Sequence, residues 1–202
     1  MKKKSLLLLG CLTALANAHP VTADVSLGFA ASAAHGIKNS GQELPVGHLD
    51  AAPSVGVGLS APISGSLGCG LKVNGALGSI SPVSAADVTA KQKYMVSASA
   101  GLSYQSGLSV FYAGPALQYT NISFEGENAT ESKILDGFGL AASVSHQVTD
   151  MFGVRVNLQH VLNKSINDWS EESFDQTIGQ LTSSMSQLSM SVYADVDPNL
   201  LS

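Results

Sequence analysis

Apolar residues alternate with glycine, serine or polar residues along most of the chain after residue 23. In the stretch GSLGCGLKVNG, residues 65–75, every second position from 67 to 73 is leucine, cysteine or valine, and glycine, lysine and asparagine lie between them. Because successive side chains of a β-strand point to opposite faces, this pattern predicts a strand with one apolar face and one small or polar face. The same period recurs in other segments, which predicts an all-β chain.

Eight strands are predicted, and their connections alternate in length. The strands cover residues 24–33, 54–63, 65–77, 93–104, 108–124, 134–148, 151–161 and 187–195. Most are about ten residues or longer, the length that a tilted strand needs to cross a bilayer. Short turns at 64–65, 105–107 and 149–150 alternate with long connections at 36–53, 79–92, 125–133 and 163–186. Short turns at one rim and long loops at the other are typical of outer-membrane barrels.

The non-apolar face of the predicted strands consists mostly of glycine and serine and carries few charges. A water-exposed strand face normally carries larger polar residues, since glycine weakens strands. Small residues fit the interior of a narrow barrel whose apolar face meets lipid. The alternative is a soluble exported β-domain, with the apolar face turned inward.

The fifth strand and the aromatic residues give two further expectations. In that strand the alternation starts with Leu108, Val110 and Tyr112 on one face, and a register change is expected near Gly114 and Pro115, because proline in a strand usually marks an edge or a bulge. An interfacial aromatic girdle is predicted from Tyr94, Tyr104, Tyr119, Phe124, Phe138 and Phe152.

The N-terminus, residues 1–18, has the pattern of a secretory signal peptide. Three lysines precede the apolar run 6–15, and Ala16 and Ala18 supply small residues for cleavage after Ala18, with a cut after Ala23 as second choice. Residues 19–202 then form one barrel domain. A lipobox-like LLGC leaves lipidation of Cys11 as the alternative. After cleavage Cys69 is the single cysteine, so no internal disulfide is expected.

The composition narrows the classes of function. Charged residues make up 12% of the chain, against about 25% in a typical soluble domain. The net charge of -5 argues against nucleic-acid binding, which requires a basic surface. No nucleotide, phosphate-loop or metal motif occurs, so no cofactor is expected.

Together, the signal peptide, the eight segments and the loop asymmetry resemble the small outer-membrane β-barrels of the OmpA, OmpX and opacity type over about residues 24–195. The resemblance implies an eight-stranded antiparallel transmembrane up-and-down barrel in the bacterial outer membrane, with outer-membrane lipid and the barrel-assembly machinery as partners. In that family the last strand commonly ends the chain at an aromatic residue. Here Tyr193 is followed by ADVDPNLLS, which departs from the pattern.

Four charged residues are candidates for the lumen. Lys72 and Arg155 fall on the small-residue face of their strands, and Asp24 and Asp195 lie near strand ends. One interpretation is a polar conduit that passes small solutes. The other is a hydrogen-bonded plug, because the interior of eight strands is just filled by side chains.

Histidine and serine residues allow one catalytic hypothesis, which the spacing disfavours. His160 and Ser165 occur as HVLNKS, whereas outer-membrane lipid A deacylases use a closely spaced His-x-Ser pair on the barrel wall. Ser145 and His146 fall near a short turn, on the wrong side for outer-leaflet chemistry. The protein is therefore predicted not to be an enzyme.

The last long loop is the candidate contact surface, since it combines acidic and aromatic residues. These residues are Asp168, Trp169, Glu171, Glu172 and Phe174. The loop lacks the regular spacing of a calcium-binding loop, and a solvated acidic loop is the plainer interpretation. Two functions stay open: a porin-like or structural barrel, and an adhesin or surface antigen that binds a host or surface ligand through its loops.

Overall fold

The computed structural model describes residues 21–39, 42–43, 52–77, 83–85, 88–125, 130–165 and 181–196. The long strands in these ranges are β1 (Thr22–Asn39), β2 (Ala52–Ser64), β3 (Leu67–Leu77), β4 (Val88–Ser106), β5 (Ser109–Glu125), β6 (Thr130–Gln147), β7 (Phe152–Ser165) and β8 (Leu181–Val196). Two short strands, Gln42–Glu43 and Val83–Ala85, pair with β1 and β4. The described residues include no helix that is long and apolar enough to cross a membrane. The predicted signal peptide, with Cys11, lies outside these ranges.

The eight long strands form a closed antiparallel barrel. Each long strand pairs with its neighbours in the chain, and β1 also pairs with β8, from Ala23 opposite Val196 to Asn39 opposite Leu181. This last pairing removes both edges of the sheet, so the backbone groups of the wall are paired within the wall. The predicted fold class, an eight-stranded antiparallel up-and-down barrel of the transmembrane type, is confirmed.

The outer face of the barrel is apolar, as the alternation predicted. Leu27 and Leu140 are 69% and 68% exposed, and the valines and leucines at the alternate positions of the other strands are exposed in the same way. A soluble β-domain would bury these residues, so the observed orientation weighs against that alternative. The exposed aromatic residues include the predicted Tyr94, Tyr104, Tyr119, Phe138 and Phe152. The side chain of Phe124 lies outside the described set.

Several strands continue into segments that the sequence assigned to loops. β1 ends at Asn39, β4 begins at Val88, and β8 begins at Leu181. The added strand ends mix polar, small and apolar residues without a clear period of two. Apolar alternation therefore does not reveal them, although backbone pairing needs no apolar side chain. The short turns lie close to the predicted positions, and Gly65 and Gly107 adopt positive φ angles of 55° and 59° there, which favours glycine.

The structure corrects the prediction for the fifth strand. Tyr112 is 4% exposed and points into the lumen, whereas Phe111 takes the outward position. Pairing of β5 with β6 runs without a shift through Pro115, which lies opposite Leu140. The register change lies instead in β4, at Lys93. Residues 110–112 are three consecutive apolar residues. The sequence therefore allowed either Phe111 or Tyr112 to point outward.

Cys69 occupies an outward position of β3 but is only 3% exposed. It packs against the buried Ala61 of β2, and Val21 and Leu71 pack against the same cluster. Neighbouring side chains of the wall therefore shield the thiol, in addition to any lipid around the barrel.

We expect a membrane-impermeant maleimide to leave Cys69 unlabelled in the folded barrel in detergent and to label it after unfolding, because Val21 and Leu71 pack over it. Mass spectrometry of the peptide that contains Cys69 measures the labelled fraction. Ser66→Cys is the matched control, since residue 66 lies in an exposed turn and a cysteine there reacts in the folded state. Rapid labelling of Cys69 before unfolding would contradict the packing described.

Candidate functional site

The lower part of the lumen, near the short turns, is crossed by a buried ion pair between β7 and β1. The Arg155 guanidinium donates two hydrogen bonds to the Asp24 carboxylate, at 2.7 and 2.9 Å, and its Nε donates to Ser145 Oγ at 2.8 Å. The two side chains of the pair are 6% and 13% exposed. The guanidinium also lies over the ring of Tyr193, with Cζ 4.7 Å from the ring centroid. In this arrangement the guanidinium and the carboxylate neutralise each other, and their side chains cross this level of the lumen.

Glycine residues make room for the large side chains of this layer. A Cβ atom on Gly58 of β2 would lie 2.4 Å from Asp24 Oδ2, and one on Gly153 of β7 would lie 2.4 Å from Tyr193 Cζ. Any larger residue at these positions would displace the carboxylate or the ring. The glycines of the small-residue face therefore leave the space that the neighbouring side chains occupy.

Lys72 reaches from β3 to the far wall of the lumen. Its Nζ donates a hydrogen bond to Ser143 Oγ of β6 and lies 4.4 Å from the centroid of the Tyr112 ring on β5. The Tyr112 hydroxyl donates in turn to Ser99 Oγ at 3.0 Å. Among the described residues, no carboxylate pairs with Lys72.

The upper part of the lumen is filled by amide and apolar side chains. Gln159 Nε2 donates to Gln118 Oε1 at 2.8 Å, and Gln118 Nε2 donates to Thr120 Oγ1 at 2.9 Å. Beside them Val161 and Met185 are 0% and 2% exposed and pack together. Sequence reasoning did not single out this layer. Gln159 nevertheless lies on the same inward face of β7 as Arg155, four residues after it.

A small cavity lies between the two layers. Its volume is about 20 Å³, which is room for about one water molecule. Lys72, Asn74, Ser99, Ser143, Ser189 and Ser191 are among its lining residues. The described side chains therefore fill the lumen at two levels, and polar and apolar residues together line the small space between them.

The other candidate residues fall outside this cluster. Asp195 is exposed near the lower rim, with its backbone opposite Asp24 and its N–H bonded to the Met151 carbonyl oxygen at 2.9 Å. The loop candidates, residues 168–174, lie outside the described ranges.

Both histidines of the catalytic hypothesis pair with serines on neighbouring strands of the outer face. His160 Nδ1 lies 2.9 Å from Ser186 Oγ, and His146 Nδ1 lies 2.9 Å from Ser109 Oγ; the side chain of Ser165 lies outside the described set. Ser145 faces the lumen and binds Arg155. No described carboxylate bonds to either ring to orient it, as a catalytic triad requires. The described residues also contain no metal-binding cluster. That the protein is not an enzyme stays a prediction.

We expect Arg155→Gln to lower the free energy of unfolding by about 3–5 kcal/mol, the usual cost of leaving one partner of a buried ion pair alone. Asp24→Asn should have a similar effect. Urea unfolding of the refolded barrel, followed by heat-modifiable electrophoresis, measures both. The double variant should lose clearly less than the sum of the single variants, because the two groups act as one unit. Lys93→Gln, at an exposed lysine, is the control; additive losses would contradict the pairing.

No protein-family model matches the chain, and no curated protein matches it. Among solved structures, it is similar to Ail, the attachment invasion locus protein of Yersinia pestis, at 10% identity and a TM-score of 0.56, over 87% of this chain and 98% of that chain. Ail in complex with the heparin analogue sucrose octasulfate matches at 10% identity and 0.54, over 87% and 99%. Neisserial surface protein A matches at 15% identity and 0.48, over 86% and 96%. The chain has the fold of the small eight-stranded outer-membrane β-barrels.

Proposed function

We propose that the chain is a bacterial outer-membrane protein with a closed lumen, which acts through the surface that it presents rather than by passing solutes. The observation that carries this proposal is the packing of the lumen at two levels. Arg155 and Asp24 close the lower level, and Gln118 and Gln159 hydrogen-bond to each other in the upper one. A conduit would instead leave the charged groups facing water.

The outer membrane is the location that the exterior supports best. The exposed leucine, valine and aromatic side chains of the wall form an apolar surface. This surface is much larger than the apolar patches that soluble monomers expose to water. Lipid of the outer membrane covers such a surface. The predicted signal peptide supports export, and the barrel-assembly machinery is the expected partner for insertion.

The filled lumen weighs against the porin-like interpretation of the four lumen charges. In that interpretation Lys72 and Arg155 select solutes. In the structure the guanidinium of Arg155 is bound on both sides, to Asp24 and to Ser145, and the ammonium of Lys72 is bound to Ser143. Passage of a solute would require several of these hydrogen bonds to break together.

We expect the protein to fractionate with the outer membrane, to migrate as a heat-modifiable band, and to produce no conductance steps in a planar bilayer. The reason is that described side chains hydrogen-bond to each other across the lumen at both levels. A porin reconstituted in the same lipid is the positive control for insertion and recording. Steady conductance steps would refute the closed lumen, and release of the protein by osmotic shock would refute the location.

A second candidate, adhesion through the last loop, is favoured by the residues between β7 and β8. Positions 166–180 include four acidic residues and two aromatic ones, Trp169 and Phe174. Ail, which has a similar fold, binds a sulfated sugar, but an acidic loop repels polyanions. We therefore propose a partner surface that is basic and offers apolar contact.

Replacement of residues 166–180 by a short Gly-Ser linker should abolish binding of a basic partner while the barrel still folds, because β7 ends at Ser165 and β8 begins at Leu181. Binding to host cells and to a polylysine-coated surface measures the effect. The paired variant Glu171→Gln/Glu172→Gln should weaken binding at low salt more than at high salt. Unchanged binding after the replacement would exclude this loop as the contact.

A further inference from the structure

We propose that the lumen cavity beside Lys72 is a binding site for one small monovalent anion of the chloride class. The inference does not depend on the proposed function, since it concerns the interior of the barrel alone. Three independent observations support it: the charge balance of the lumen, the direction of the hydrogen bonds around the cavity, and an unpartnered hydroxyl in its lining.

The charged side chains described inside the lumen do not balance. Arg155 and Asp24 neutralise each other through two hydrogen bonds, whereas Lys72 has a serine hydroxyl and an aromatic ring as its partners. An ammonium group that is removed from water and lacks a counter-charge is costly. An anion in the adjoining cavity would supply the missing charge at the place where Lys72 already points.

Three serine hydroxyls around the cavity each have a hydrogen to donate. Ser143 accepts from Lys72, Ser99 accepts from Tyr112, and Ser189 accepts from Asn157 at 3.0 Å. Because each of these hydroxyls already accepts a hydrogen bond, its own hydrogen is available to donate. All three serines line the cavity, and no carboxylate of the described residues does. A surface that presents several O–H donors and an ammonium group favours an anion.

Ser191 supplies the third observation. Its hydroxyl oxygen is buried, lines the cavity, and has no hydrogen-bond partner among the described residues. A buried polar group without a partner is unusual in a folded protein and indicates an additional ligand. A single particle in the cavity contacting both Ser191 and Lys72 would satisfy the two groups at once, and the volume of about 20 Å³ limits that particle to a monatomic ion or a molecule of about the size of water.

The test compares unfolding of the refolded barrel in sodium chloride or bromide with unfolding in sodium gluconate at the same ionic strength, because gluconate is too large for the cavity. Refolding in each salt loads the site without requiring entry through the closed lumen. At an anion concentration about ten times the dissociation constant, the unfolding equilibrium constant should be about tenfold smaller in halide. Equal unfolding in the two salts would overturn the proposal.

Variants assign the effect to the cavity. Lys72→Met should abolish the difference between the salts, and Ser191→Ala should reduce it, whereas Lys93→Met, at an exposed lysine, should leave it unchanged. Because the readout is a difference between salts for the same variant, a general change in stability cancels. A halide effect that persists fully in Lys72→Met would overturn the site.

A crystallographic measurement covers the case in which Lys72→Met does not fold. Crystals of the native protein refolded in bromide should show an anomalous peak in the cavity near Lys72 and Ser191. A cavity that holds only water at saturating bromide would refute the anion site.

Discussion

The pairing of the first strand with the last is the constraint on which the rest of the structure depends. It brings Asp24 and Arg155, 131 residues apart in the chain, to positions separated only by β8. In an open sheet these two residues would lie near opposite edges. Their two hydrogen bonds therefore form only when the barrel closes, and the ion pair stabilises the closed arrangement over an open sheet with the same local hydrogen bonds. Eight strands also enclose an interior just wide enough for side chains, so each inward group must find its partner on another strand.

This narrow interior explains the distribution of residue sizes on the wall. Most large apolar side chains point outward, where nothing limits their volume, and the inward positions combine a few long side chains with glycine, serine and alanine. Gly58 leaves the space that the Asp24 carboxylate occupies, and Gly153 does the same for the Tyr193 ring. The glycines are thus part of the packing of the lumen, a role distinct from the wall curvature that a glycine-rich strand suggests. The described inside of the barrel combines hydrogen-bonded polar side chains with a small apolar cluster.

The sequence was sufficient for the number of strands, their order and the side on which the long loops fall, because these follow from local periodicity and turn residues. It was not sufficient for the contacts in the lumen. Which inward residues meet depends on the stagger between strands around the closed barrel. The periodicity along one strand does not determine this stagger. Lys72 and Arg155 were therefore found as inward charges, but neither the partner of Arg155 nor the role of Gln118 and Gln159 was predictable. Tyr112 was assigned to the wrong face because its neighbour Phe111 is equally apolar.

The division between wall and loops bears on how such a protein acquires a function. The contacts described for the barrel lie inside the lumen and along the paired strands, and residues 166–180 connect the end of β7 to the start of β8. If the proposed surface role is correct, substitutions in that segment change the surface that partners meet. A substitution at Arg155, in contrast, leaves the Asp24 carboxylate without its partner inside the lumen. We infer that recognition of partners varies through the loops, whereas the interior is restricted to the composition that fills it, and that a lumen filled in this way supports a surface role better than transport.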